Sequence, residues 1–350
     1  MATMIEVQVH RFGSPDVLRV VEVPLPEPGP GQVRIRQTSI GLNHADLMAR
    51  AGEYRLYSGE PPFVPGLEGG GYIDAVGPGV VSRRIGERVI LSPSAPRHGK
   101  QPKTPTPGGT YRSHYIAAEN DVYVAPDALP DDQLGAVWLA YLTAWGCLVW
   151  KQDLQPGQIV VLPAASSSVA LAAAQIVRER GAVPIGLTTS PEKVEILKAM
   201  PSCAYEDILV TRRGASTEHE WVNALRRKTR GRGVDVFFDP VAAGEFLQNE
   251  IRCLAQRGTI WVYGLLGKPG HLDVTPLIRK WASIRGWVLG ELTSADPALV
   301  DRACRDLLGG FARGAYRQHI GGTFALDEVR RAHEEMELGR HIGKLVLVPS

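Results

Sequence analysis

The rhythm of polar and apolar positions in this chain changes near residue 127. Before it, apolar and polar residues alternate over 17–23 and 33–39, the period-two pattern of half-buried strands. Pro24-Leu25-Pro26-Glu27-Pro28-Gly29-Pro30-Gly31 separates them as a rigid turn. Residues 1–10 read as a strand, and 43–52 carry helical apolar spacing. Gly69-Gly70-Gly71, Gly77-Pro78-Gly79 and Gly86 punctuate further short strands, and the set predicts a small β-barrel. Beyond 127, apolar runs at 158–162, 183–187, 234–239, 259–264 and 284–289 alternate with helical stretches, which predicts a doubly wound parallel sheet. A helix over 297–308 and short strands ending at 343–348 follow, and this last segment is expected to rejoin the barrel. The expected domains are therefore 1–126 with 291–350, and 127–290.

One stretch organises the rest. The strand 158–162 leads through Pro163-Ala164-Ala165-Ser166-Ser167-Ser168 into a helix over 169–180 closed by Gly181, and a second strand follows at 183–187. Ser190 is placed to cap a next helix with Pro191 at its first position. Strand, tight turn, helix and strand form the unit that binds a dinucleotide, with the pyrophosphate at the helix N-terminus. Against G-x-G-x-x-G/A the positions hold Ala165, Ser167 and Ala170, so the first two depart from glycine. On this loop alone, a nucleotide site and a merely structural turn both stand.

With 350 residues, 44% hydrophobic and 22% charged, the chain is long enough for two globular domains. A formal charge of +2 argues against nucleic acid or a membrane surface as partner. No apolar run is long enough to span a bilayer, and the N-terminus reads as a strand rather than a signal peptide. Cys147, Cys203, Cys253 and Cys304 form no CxxC pair and are expected as buried thiols in a reducing, cytoplasmic setting.

Several motifs then stand in order: Asn43-His44-Ala45-Asp46 with Arg50, Gly52 and Tyr54; Pro65-Gly66-Leu67-Glu68-Gly69; Gly77-Pro78-Gly79-Val80. Leu142-Thr143-Ala144, residues 164–170, Asp239-Pro240-Val241 and Ile342-Gly343-Lys344 complete the series. In these the chain resembles the medium-chain dehydrogenase/reductase superfamily, in its zinc-free quinone oxidoreductase and enoyl reductase branch. The resemblance covers essentially the whole chain. It implies a GroES-like barrel wrapped around a Rossmann domain, the cofactor in the cleft, and homodimers that pair the edge strands of two Rossmann sheets.

Zinc-dependent members of that family carry Cys where this chain has Asn43 and His where it has Leu67. A neutral carboxamide is a poor zinc ligand and an aliphatic side chain none, so no metal is expected. The loop that holds structural zinc in those relatives corresponds to 92–109, which has no cysteine. At the end of the second strand, Leu187-Thr188-Thr189-Ser190 offers no acid for a ribose 2′-hydroxyl, and Lys193 follows. Hydroxyls and an ammonium suit a 2′-phosphate, so NADPH is the expected cofactor. An ordinary solvated helix lysine is the plainer reading of Lys193.

The resemblance further implies a cofactor site from Asn43, Thr143, Ser166, Ser167, Ser168, Val169, Thr188, Thr189, Ser190, Lys193, Asp239 and Val241. Tyr263, Gly264, Leu265, Leu266, Leu289, Gly343 and Lys344 belong to the same set, with a surface role open for Lys344. Hydride would pass to a quinone, an enone or an enoyl thioester. Tyr54 matches a proton donor of related enoyl reductases, its phenol being a donor rather than a base at neutral pH. Asn43, orienting the acceptor or the cofactor ribose through its amide, and Asp46 complete the catalytic set; Tyr54 as pocket wall, and Asp46 as a structural support for Asn43 or Arg50, are the alternatives. Arg97, His98, Lys100 and Lys103 would form a basic rim for a carrier-bound acyl chain, or a solvated surface. The departures from glycine in the loop keep open a weak or inactive relative that serves as a scaffold or partner subunit.

Overall fold

In the computed structural model, residues 2–54, 59–94, 108–211 and 220–349 are described. They divide into two compact units, Met1–Leu139 with Cys304–Gly314 and Gln318–Ser350, and Ala140–Ala303 with Ala315–Arg317.

In the first unit, β1 (Thr3–Val9) and β2 (Leu18–Pro24) form an antiparallel hairpin. β3 (Gln32–Gly41) is the spine of the main sheet. Its first half pairs with both β4 (Gly69–Val76) and β6 (His114–Ala118), while Ile40 and Gly41 pair with β15 (Lys344–Val348). β5 (Arg88–Leu91) and β7 (Val122–Val124) extend the sheet beyond β4, and β14 (Ile320–Ala325) runs parallel to β15 at the far side. Val33 and Ile35 join Ile73, Val89 and Leu91 in one apolar cluster, whereas Ile40 joins Val7, Leu18, Phe63 and Leu347 in another. Each such side chain contributes about 1.5–3 kcal/mol by leaving water. The expected glycine punctuation at 69–71 proves to be strand. A Cβ on Gly70 would stand 2.7 Å from Leu134 Cβ, and one on Gly71 would stand 2.0 Å from Arg36 O. The bare backbone lets the 3-10 turn Asp131–Ala136 lie on β4. That turn is fastened by Thr38 Oγ1 and Ser39 Oγ donating to Asp131 O (2.7 and 3.1 Å) and by Arg88 Nε donating to Asp131 Oδ1 (2.9 Å). The first unit therefore continues past 126 to Leu139.

Among the described residues before 127, the one α-helix is α1 (His44–Ala51), capped by Asn43 and ended by Gly52 at φ 84°. α2 (Trp138–Ala144) runs into a π-helical stretch, Trp145–Lys151.

Among its described residues the second unit carries six parallel strands: β8 (Ile159–Leu162), β9 (Val183–Thr188), β10 (Asp207–Val210), β11 (Val234–Asp239), β12 (Leu254–Val262) and β13 (Ser283–Gly286). Their order, β10-β9-β8-β11-β12-β13, reverses direction between β8 and β11, as in a dinucleotide fold. The helices between them are α3 (Ser168–Glu179), α4 (Glu192–Ala199), α5 (Glu220–Lys228), α6 (Gly244–Cys253), α7 (Thr275–Lys280) and α8 (Leu289–Thr293). α9 (Pro297–Ala312) and α10 (Val329–Leu338) close the chain. Val161, Ile185, Phe237 and Ile260 pack with Trp221, Leu225 and Ile251 in the core of this unit. The last strand ends at Gly286, short of the expected 289, because Trp287 turns inward: its N–H donates to Val262 O and its Nε1 to Thr143 O. Six of the seven tryptophans are buried or half-buried; Trp281, 71% exposed, is the exception.

Candidate active site

A parallel sheet aligns the carboxyl ends of its strands, and the loops that follow those ends collect on one edge. Here that edge brings together the turns after β8, β9, β11, β12 and β13, and with them nearly every cofactor residue expected in this unit. The turn after β8 holds without its glycines. Ala164 takes φ 52°, a left-handed conformation that glycine adopts more cheaply. Ala165 is buried, with its N–H donating to Leu187 O (2.9 Å) and its carbonyl accepting from Tyr205 Oη (2.8 Å). Ser167 is the N-cap of α3, and its Oγ accepts from Ala170 N (3.2 Å). The first N–H groups of α3, at Ser168 and Val169, follow this cap, as an anion site at a helix N-terminus requires.

After β9, Thr188 is buried and its Oγ1 accepts from Ser190 N (3.2 Å). Lys193 Nζ reaches back to Ser166 Oγ (3.3 Å), so an ammonium links this loop with the one after β8. Burial lowers the Lys193 pKa from its ordinary value, and an ammonium partly withdrawn from water gains from an anion. Two expectations need correction. Ser190 does not cap α4: its Oγ donates to Glu192 Oε2 (2.7 Å), and the helix starts at Glu192. That contact also brings a carboxylate to a strand end read as free of acid.

Asp239 is fully buried, and its two carboxylate oxygens accept from Val241 N (2.7 Å) and Ala242 N (2.8 Å). Burial pushes its pKa up to about 6 against the lowering by those two bonds. Tyr263 N donates to Asp239 O (2.9 Å) and Leu266 N to Pro240 O (2.9 Å), which zips the turns after β11 and β12 together at Gly264. Tyr263 stacks on Phe238 with ring centroids 4.0 Å apart, while Leu265 and Leu266 stand exposed. Leu289 opens α8 just beyond β13, and Thr143 lies on the nearby helix that accepts from Trp287.

In the first unit, the residues around Asn43 form a buried polar cluster. Lys344, 1% exposed, donates to Glu68 Oε1 and to Asn43 Oδ1, so its alternative reading as a surface lysine does not hold. Asn43 Nδ2 gives its two protons to Gly41 O (3.2 Å) and Glu68 Oε1 (3.0 Å), and Glu68 Oε2 accepts from Leu139 N (3.0 Å). Gly41 has to be glycine here, since a Cβ would stand 2.6 Å from Glu68 Oε1 and 2.5 Å from Gly135 O. Gly343, at φ 82°, delivers Lys344 into this cluster. The donor set does not suit zinc. The Asn43 amide is already committed, Leu67 has nothing to donate, and a fixed ammonium repels a divalent cation. Among the described residues no three His, Cys, Asp or Glu side chains gather as a metal site.

A second chain of bonds supports α1. Asp46 Oδ2 accepts from Asn43 N (2.9 Å) and from Tyr111 Oη (3.2 Å). Arg50 Nη1 contacts His333 Nδ1 (3.2 Å), and His333 Nε2 contacts Tyr111 Oη (3.2 Å). Arginine only donates, so Nδ1 accepts, Nε2 carries the proton, and the donation runs Arg50 to His333 to Tyr111 to Asp46. Burial lowers the His333 pKa to about 3, which keeps the ring neutral as this direction demands. Tyr54 follows two residues after Gly52 and is half-buried.

Glu68 stands in its sequence motif without a role, and nothing local marks Tyr205, Tyr111 or His333; isolated residues whose partners lie far along the chain leave no local signal. Arg97, His98, Lys100 and Lys103 lie outside the described residues.

The family described as alcohol dehydrogenase GroES-like domain matches residues 29–127, and that described as zinc-binding dehydrogenase matches 168–303. The chain is 30% identical to a 2-haloacrylate reductase of Burkholderia sp over 97% of its length and 98% of the relative's. It is also 30% identical to a quinone oxidoreductase of Pseudomonas aeruginosa, covering 98% and 99%. Among solved structures, an NAD-dependent alcohol dehydrogenase superposes with a TM-score of 0.84 at 28% identity, covering 98% and 99%. The mycobacterial protein Rv1454c complexed with NADPH does so with 0.82 at 26%, covering 99% and 100%. With its GroES-like barrel and Rossmann sheet, the chain belongs to the medium-chain dehydrogenase/reductase superfamily, in its zinc-free quinone oxidoreductase branch, and is an NAD(P)-binding oxidoreductase.

Proposed function

We propose that the protein is an NADPH-dependent, zinc-independent reductase of a quinone or an α,β-unsaturated carbonyl. The observation that carries the cofactor choice is the Lys193 ammonium at the carboxyl end of β9, bonded to Ser166 of the pyrophosphate turn. NADPH, when bound, supplies the hydride. The chain's own residues bind and orient: the N-terminus of α3 with Ser166 and Ser167 takes the pyrophosphate, and Lys193 with Thr188 and Thr189 takes the 2′-phosphate. Asp239 holds the turn at Val241, and Leu265 and Leu266 offer an apolar wall. Because the Asn43 amide protons are spent within its own unit, Asn43 acts by holding the start of α1, which fixes Tyr54 beyond its end. Tyr54 donates a proton to the oxygen of the reduced acceptor.

The acceptor is a small molecule of the quinone, enone or enoyl thioester class; reduction of a halogenated acrylate is the activity named for one relative. Tyr54→Phe is expected to lower kcat for enone reduction at least tenfold while leaving the dissociation constant for NADPH within twofold. Unchanged turnover would reduce Tyr54 to a pocket wall. A scaffold reading draws on one observation, that Ala165 is buried with both backbone groups bonded inside the protein, which leaves fewer donors for phosphate.

A further inference from the structure

The opposite, amino-terminal edge of the parallel sheet holds a cavity of about 340 Å³, near the lower end of small-molecule sites. It lies where β11 and β12 begin. A six-residue strand such as β11, at about 3.3 Å per residue, puts it roughly 20 Å from the loops at the carboxyl edge. Arg226, Arg232, Arg252 and Lys280 line it with Thr229 and Cys253, and its lining includes no Asp or Glu.

Two of these cations are already employed. Lys280 Nζ donates to the carbonyls of Ile251 (3.2 Å), Arg252 (2.8 Å) and Leu254 (2.7 Å), closing the C-terminus of α6. Arg232 pairs with both oxygens of Asp235, at 2.5 and 2.9 Å. The other two, both exposed, are less committed. Arg252 gives one N–H to Asn249 Oδ1 (3.2 Å) and acts on the Asp273 carboxylate, and Arg226 meets no carboxylate among the described residues. Their places in the last turns of α5 and α6 suit the helix dipoles, but a dipole does not require that both residues line one cavity. Both act on the Cys253 thiol, whose burial still pushes its pKa up to about 12, so the thiol stays neutral and supplies no counter-charge.

We propose that this cavity is a second, anion-binding site that takes a phosphate group, free or esterified to a small molecule, between Arg226 and Arg252. The planar donor fork of arginine matches phosphate oxygens in pairs. The site is independent of the reductase reading, because none of its residues belongs to the proposed cofactor edge.

Calorimetric titration of the full-length protein with inorganic phosphate and with glycerol 3-phosphate, at constant ionic strength, tests it. The variant R226Q/R252Q is expected to weaken binding of the preferred ligand at least tenfold, while its affinity for NADPH stays within twofold of the unaltered protein's. Tighter binding of glycerol 3-phosphate assigns an ester as occupant, and tighter binding of inorganic phosphate assigns the free anion. Equal binding by R226Q/R252Q and the unaltered protein, or an equal loss of NADPH affinity in the variant, would overturn the proposal, as would no binding of either ligand.

Discussion

Lys344 and Glu68 stand 276 residues apart in the chain, yet each is 1% exposed and each is the other's counter-ion. Burying a charge is tolerable only with a partner, and removing one partner of such a pair costs about 3–5 kcal/mol because the other remains charged and dry. Lys344→Met should therefore lower stability in urea by that order. Adding Glu68→Gln should recover part of the loss, since the double variant buries no net charge. A double variant less stable than Lys344→Met alone would contradict the pairing as the source of the effect. This pair was invisible to sequence reading for a physical reason: local patterns report neighbours within a turn or a strand, and Glu68 meets Lys344 only through the pairing of β3 with β4 and β15. The helix after Asn43 was nearer to hand, because its apolar spacing over 43–52 is local.

At the scale of elements, the strand–turn–helix unit from β8 to β9 was legible almost to the residue. Its apolar runs and its small turn residues are local features, whereas the capping role of Ser167 went unread and the one expected of Ser190 fails. What holds the turn was not legible, since Tyr205 comes from the approach to β10 and bonds Ala165 O from behind. The same packing explains Gly186 in the middle of β9, where a Cβ would stand 2.9 Å from Ala165 Cβ and 3.2 Å from the Tyr205 ring. Gly186→Ala is expected to destabilise the protein by about 1–3 kcal/mol through overpacking. It should also weaken NAD(P)H binding, because the atoms that must give belong to the turn. Wild-type stability and affinity in this variant would show the turn to be more yielding than described.

For the molecule as a whole, the division into a barrel unit and a doubly wound unit could be read from the change in hydrophobic period. The unit boundary at Leu139 could not, because it depends on how the 3-10 turn at 131–136 lies on bare glycines. Among the described residues β13 is the last strand of the second sheet with no partner on its outer side, and Ile278 and Trp281 beside it are more than 70% exposed. Exposed large apolar residues along an open strand edge suit pairing with a second copy. We propose a homodimer through this edge, and Ile278→Glu with Trp281→Glu should convert it to a monomer in sedimentation; a monomeric unaltered protein would refute it. The NADPH site is tested most directly by titration with NADPH and with NADH, followed by nicotinamide fluorescence, in the unaltered protein and in Lys193→Ala. Micromolar NADPH binding, weaker NADH binding, and at least a tenfold loss confined to NADPH in the variant are predicted. An equal loss of both cofactors would contradict the role of Lys193, and no binding of either would contradict the reductase itself.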